Sequence, residues 1–140
     1  MKLVVDTNVL ISGSLWQGPS ARLISAAFQG NAQIFLSLTI LLEFRETLDQ
    51  PRFSQRLAAH GVTAEALTNR FRAACHEVLV PEIVPPSELR DRDDLHVLAT
   101  AIGAQADAIV TGDKDLLTMK SFGGIPIIDP VEALRRLDLP

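Results

Sequence analysis

Six acids in this chain stand where solubility alone does not explain them. Asp6 closes the apolar run Leu3–Val4–Val5. Glu43 interrupts the apolar stretch ILLEF. Asp93 and Asp94 precede LHVLATAIGA, and Asp113 and Asp115 follow AIVTG. Taken singly, most have a plain structural reading. Asp93 or Asp94 can complement a helix dipole, Glu43 can be an exposed helix position, and Asp113 can be a turn residue beside Gly112. Asp6 resists this, because a carboxylate at the end of a buried strand needs partners. Converging carboxylates would repel one another without a cation. Oxygen donors grouped without His or Cys suit Mg²⁺ or Mn²⁺ rather than zinc. The chemistry such a group serves is metal-assisted phosphoryl transfer.

The elements that must position these acids alternate along the chain. Residues 2–5 (KLVV) read as a buried strand. Residues 19–29 have helical spacing and end at Gly30. Residues 32–37 form a second strand. Thr39 is a candidate cap for a helix over 39–48, Pro51 opens another over 51–61, and Thr63 caps a third over 63–78. Pro81, Pro85 and Pro86 then force an extended segment. Asp91 is a candidate cap for a helix over 92–105. Strands follow at 108–111 and 126–128, and Asp129–Pro130 opens a last helix. Strands alternating with helices predict an α/β fold, a parallel sheet with helices on both faces. In such folds ligands bind beyond the carboxyl ends of the strands, where Asp6 and Asp113 fall.

Composition narrows the field. The 140 residues suit one domain, 1–140, and a 47% hydrophobic content with mean hydropathy +0.20 can fill a core. Aromatic residues are 5% with no Tyr, which argues against a base-stacking platform. A formal net charge of −4 and a pI near 5.3 argue against binding nucleic acid through a basic face. They leave open a nuclease whose acids hold cations, since bound metal reverses the local field. The single cysteine, Cys75, cannot form an intramolecular disulfide and reads as a small buried apolar residue. No signal peptide is evident, and no apolar run approaches the roughly 20 residues of a membrane span. A cytoplasmic protein with no membrane partner is expected.

The stretches VVDTNVLIS, LLEF and DRDDLHVLATAIGAQADAIVTGDKDLL, in that order, resemble the PIN-domain family. Within it the likeness is to VapC-like proteins, toxin components of bacterial toxin–antitoxin pairs. The resemblance implies a three-layer α/β/α, Rossmann-like domain with a central mostly parallel sheet. It implies a metal-dependent endoribonuclease that uses Mg²⁺ or Mn²⁺, cleaves RNA, forms a homodimer and is silenced by a cognate antitoxin. Carried over by position, Asp6, Glu43, Asp94 and Asp113 match the four acids that bind metal and catalyse. Asp115 sits where some members place a further ligand. Asp93 is a one-residue rival to Asp94; on a helix the two point about 100° apart, so one alone can be a direct ligand. Thr7, Asn8 and Thr111 match small polar positions that would orient the carboxylates.

Lys114, Arg45 and Arg92 are candidate RNA contacts, with Arg52, Arg56 and Arg90 as further basic positions; each also reads as a solvated helix residue. His60, His76 and His96 are expected to be structural or surface residues, His96 because it falls on a different helix face from Asp94. Trp16 is either a protein contact or packed on the core. Two rival readings remain. Phosphoaspartyl proteins also place an Asp after the first strand. Their phosphatases want a second acid two residues on, where this chain has Asn8, and their receivers want acids where it has Val4–Val5. A non-catalytic module on the same fold would be expected to lack one of the acids, and all four are present.

Overall fold

The computed structural model describes residues 1–89 and 94–139. Its centre is β1 (Lys2–Val5), in which Leu3, Val4 and Val5 are wholly buried. β1 pairs in parallel on both sides. Leu3 lies opposite Ile34 of β2 (Gln33–Leu36) and opposite Ala108 of β4 (Ala108–Val110). β3 (His76–Glu77) extends the β2 edge, and β6 (Ile125–Ile128) with β5 (Ser121–Phe122) extends the β4 edge. The order is β3-β2-β1-β4-β6-β5, parallel except at the β5–β6 pair. The α/β class with a mostly parallel central sheet is as the sequence predicts.

The helices are α1 (Thr7–Leu15), α2 (Pro19–Phe28), α3 (Leu38–Leu48), α4 (Ser54–Ala59), α5 (Ala64–Ala74), α6 (Leu95–Ala104), α7 (Lys114–Met119) and α8 (Pro130–Arg136). The chain steps from β1 to β2 to β3, then returns past β1 to β4 and β6. Right-handed crossovers therefore place α1 to α5 on one face and α6 and α7 on the other. The packing agrees. α1 contacts α2 and α3, α3 contacts α5, α2 contacts α8, and α6 lies across β1, β2 and β4. The reversal makes the β1/β4 boundary the switch point, where such sheets open a crevice at their carboxyl ends. Close approach of α1 and α2 depends on Gly13. A Cβ there would stand 2.7 Å from Ile24 Cγ1 and 2.8 Å from the Ser20 carbonyl oxygen.

Local structure departs from expectation in several places, each with a physical reason. The apolar stretch after Asp6 is the helix α1. α3 begins at Leu38, not Thr39, because Ser37 is its cap and accepts the Ile40 N–H at 3.3 Å. The helix expected over 63–78 stops at Ala74, because Cys75 turns extended (φ −109°, ψ 162°) and His76–Glu77 join the sheet as β3. Residues 51–61 divide into a 3₁₀ turn, Pro51–Phe53, and α4. α7 and β5 were not expected. Gly123 and Gly124, at φ 57° and 79°, make the two-residue turn that sets Phe122 opposite Ile125. The cap expected at Asp91 lies outside the described residues.

The proline-punctuated segment after Val78 forms neither helix nor strand in its described part, as expected. It is strapped across α6 instead. A Cβ at Gly103 would come within 2.6 Å of the Leu79 carbonyl oxygen, so glycine lets the strap lie directly on the helix. Cys75 is half-buried, and burial pushes its thiol up to about 12, which fits a packing role. Trp16 is partly covered. Phe53 stands edge-on to it at 6.3 Å and the Arg56 guanidinium lies 5.0 Å from its ring.

Candidate active site

Asp6 is placed by the sheet. Its N–H donates to the Val110 carbonyl at 2.9 Å, which carries the β1–β4 ladder one residue past β1. The residue is only 5% exposed. Its Oδ2 accepts from Thr111 Oγ1 at 2.9 Å, and Thr111 Oγ1 in turn accepts the Asp113 N–H at 3.0 Å. Thr111 is itself buried and fixed by donation of its N–H to Ile128 O at 3.0 Å. Asp113 caps α7, with Oδ1 accepting the Asp115 N–H at 2.8 Å. One hydrogen-bonded path thus ties the β1 acid to the β4 acid. Burial raises the Asp6 carboxyl above its ordinary value. The hydrogen bonds from Thr111 and the Thr7 backbone oppose this, and the negative charges of Glu43 and Asp113 add to it.

Glu43 and Asp113, whose charges act on Asp6, line a cleft of about 960 Å³ together with Asn8, Asp94 and His96; the buried Asp6 is not itself part of the lining. Glu43 comes from α3, Asp94 from the residue preceding α6, and Asp113 from the start of α7. Val80, Pro81, Glu82 and Ile83 of the strap form one wall. Asp6 senses the charges of Glu43 and Asp113, and Asp94 shares the cleft with both.

The other predicted positions divide. Asp115 is exposed on the first turn of α7, and the cleft lining does not include it. Thr7 is buried, with an Oγ1 that has no hydrogen-bond partner among the described residues, and Asn8 faces the cleft. Arg45 pairs with Asp49 at 3.2 Å. Arg56 donates to the Leu15 carbonyl at 2.6 Å and so braces the end of α1. Arg52 lies over the Phe53 ring at 4.7 Å. Lys114 is exposed beside Asp113. Asp93, Arg90 and Arg92 fall outside the described residues.

The expectation for His96 needs correcting. It lines the cleft, and its Nε2 stands 3.1 Å from Glu43 Oε2. Asp94 is the N-cap, and α6 starts one residue later. The Asp94 backbone is still helical (φ −81°, ψ −7°), and the cleft is wide enough to take in both side chains although they point in different directions.

Beneath the cleft a second polar link was invisible in the sequence. Thr100 Oγ1 lies 2.9 Å from Ser37 Oγ and 2.6 Å from the His96 carbonyl, and both hydroxyl residues are fully buried. Each hydroxyl has one proton. The His96 carbonyl can only accept, so Thr100 donates to it and Ser37 donates to Thr100. Ser37 Oγ then accepts the Ile40 N–H. The direction is fixed from α3 to α6, the two helices that bring Glu43 and Asp94 together. Thr100→Val keeps the shape and strands the Ser37 proton in the core. It should cost about 1–3 kcal/mol in denaturant unfolding, and a loss below a few tenths would show that the link carries nothing.

A divalent cation can be tested against these residues. Among the described residues, no three His, Cys, Asp or Glu side chains stand close enough to form a ready cage. The donor chemistry nonetheless fits a hard cation. The acids supply oxygen alone, Asp6 is held at a raised pKa partly by its neighbours' charges, and Thr7 Oγ1 is buried without a partner.

The family model described as PIN domain matches residues 2–115, and the chain belongs to the PIN-domain family. Among solved structures it is similar to a chain of the crystal structure of VapBC2 from Rickettsia felis bound to a DNA fragment from their promoter. The TM-score is 0.58 at 14% identity, over 92% of this chain and 98% of that one, a likeness of fold. No curated protein matches the sequence. Among the described residues no helix is long and apolar enough to cross a membrane.

Proposed function

We propose that residues 1–140 act as one PIN-like domain, a metal-dependent endoribonuclease of VapC type, the toxin of a toxin–antitoxin pair. The observation that carries this reading is the buried Asp6, tied through Thr111 to Asp113, which lines a cleft together with Glu43 and Asp94. Asp6, Glu43, Asp94 and Asp113 would hold Mg²⁺ or Mn²⁺. When bound, the cation supplies the positive charge that acidifies a water and balances charge at phosphorus. Glu43 or Asp113, both reached from the cleft, orients the attacking water or takes its proton. Thr111 fixes the Asp6 carboxylate, and Thr7 and Asn8 complete the polar surround. Asp115, exposed in the first turn of α7, does not line the cleft. Lys114 guides the RNA backbone to the acids, and Arg45 and Arg92 contribute further positive charge.

The protein works in the cytoplasm as a homodimer held silent by its antitoxin. Leu38 and Leu42 support such partners, since they lie four residues apart on one face of α3 and are each more than half exposed. A cleavage assay decides the activity. Single-stranded RNA should be cut in Mg²⁺ or Mn²⁺, not in EDTA, and not by Asp113→Asn. Equal cutting by wild type and variant would defeat the reading.

A further inference from the structure

His96 has a role the acids alone do not account for. Its side chain is 16% exposed and that of Glu43 is 40% exposed, so the imidazole is the enclosed member of the pair and the carboxylate the open one. The histidine is held from behind. Its carbonyl accepts from Thr100, and Thr100 is locked to the cap of the helix that carries Glu43. Nε2 is buried and has no aligned acceptor among the described residues, although Glu43 Oε2 lies 3.1 Å away. A small rotation of the half-exposed Glu43 completes that bond and satisfies the buried nitrogen. The neutral imidazole with its proton on Nε2 suffices as donor.

We propose that His96 is a positioning residue that holds the Glu43 carboxylate by Oε2 and leaves Oε1 turned to the cation. Carboxylates that bind metals are commonly fixed in this way by a neighbouring donor, and loss of the donor typically costs 10–100-fold in metal affinity or activity. The inference rests on the nuclease reading above.

Its test is Mn²⁺ binding by calorimetry together with RNA cleavage, on the wild type, His96→Ala and His96→Gln. His96→Ala should bind Mn²⁺ about 10–100-fold more weakly. Its kcat should fall with KM for RNA little changed, and its melting temperature should stay near that of the wild type. His96→Gln, whose amide N–H reaches about as far as Nε2, should recover most of both losses. If His96→Ala does not fold, His96→Asn, too short to reach Glu43, carries the same comparison. Wild-type affinity and kcat in the Ala variant would overturn the inference alone. So would a Gln variant that folds yet rescues neither. A wild-type protein that binds no Mn²⁺ and cuts no RNA would overturn it together with the nuclease reading.

Discussion

Asp6→Asn should melt higher than the wild type at neutral pH and cut no RNA. The first effect follows from burial. The folded-state pKa of Asp6 is raised above its ordinary value of 3.8, mainly by desolvation. The native protein therefore binds this proton more tightly than the unfolded chain does. Stability falls as pH rises from that ordinary value through the raised one, and above the window the buried charge is a standing cost. Asparagine removes the charge and keeps an oxygen that can accept from Thr111. In metal-free protein the stability gap between variant and wild type should widen from acid to neutral pH, read by thermal melts across that range. A gap of a few degrees is expected. The second effect follows from the coupling of Asp6 to Glu43 and Asp113, two acids of the cleft, on the nuclease reading. Cleavage should drop roughly 10³-fold or more, about 4 kcal/mol of barrier. A variant that melts lower at neutral pH would contradict the burial argument, and one that still cuts RNA would move the chemistry elsewhere.

The largest loss of stability is expected at Phe71. It is 1% exposed and joins three helices by ring contacts, to Phe44 of α3 at 5.2 Å and to Phe28 of α2 at 5.5 Å. Phe71→Ala removes both contacts and leaves a void under the helical layer. Such truncations cost about 3–5 kcal/mol, against a total stability of about 5–15 kcal/mol for an ordinary domain. Urea unfolding should show a large fall in midpoint. Phe44 adjoins Glu43 in sequence, so cleavage should also weaken in the folded fraction. A loss below about 1 kcal/mol would mean that the helices repack around the gap.

The sequence revealed the floor of the site better than its walls. β1 and β4 are continuous apolar runs that end in a carboxylate or a Thr–Gly–Asp turn, so strand and acid could be read together. Glu43 and Asp94 were legible as acids beside apolar helical patterns, and both line the cleft. His96 was not, because the angle between two side chains on a helix does not tell whether one wide cleft takes in both. The Ser37–Thr100 link joins residues 63 apart, and nothing local marks either as buried. β3 and β5 are two residues each, too short to show a period. The Gly123–Gly124 pair is itself a sequence signal for the β5–β6 hairpin.

The strap over Gly103 has a consequence for how such a protein changes over time. The floor of the cleft is fixed by strand ends that cannot be altered without disturbing the sheet. The strap wall forms no helix and no strand, and its exposed members Val84 and Leu79 are 85% and 94% accessible. Segments of that kind accept substitution and insertion at little cost to the fold. Descendants of one ancestral chain can therefore exchange the wall, and with it, on the nuclease reading, the shape of RNA admitted, while inheriting the acids unaltered. In the laboratory the same feature makes residues 79–84 the place to diversify in a library that seeks new targets, with Gly103 held constant as the seat on which every new wall must rest.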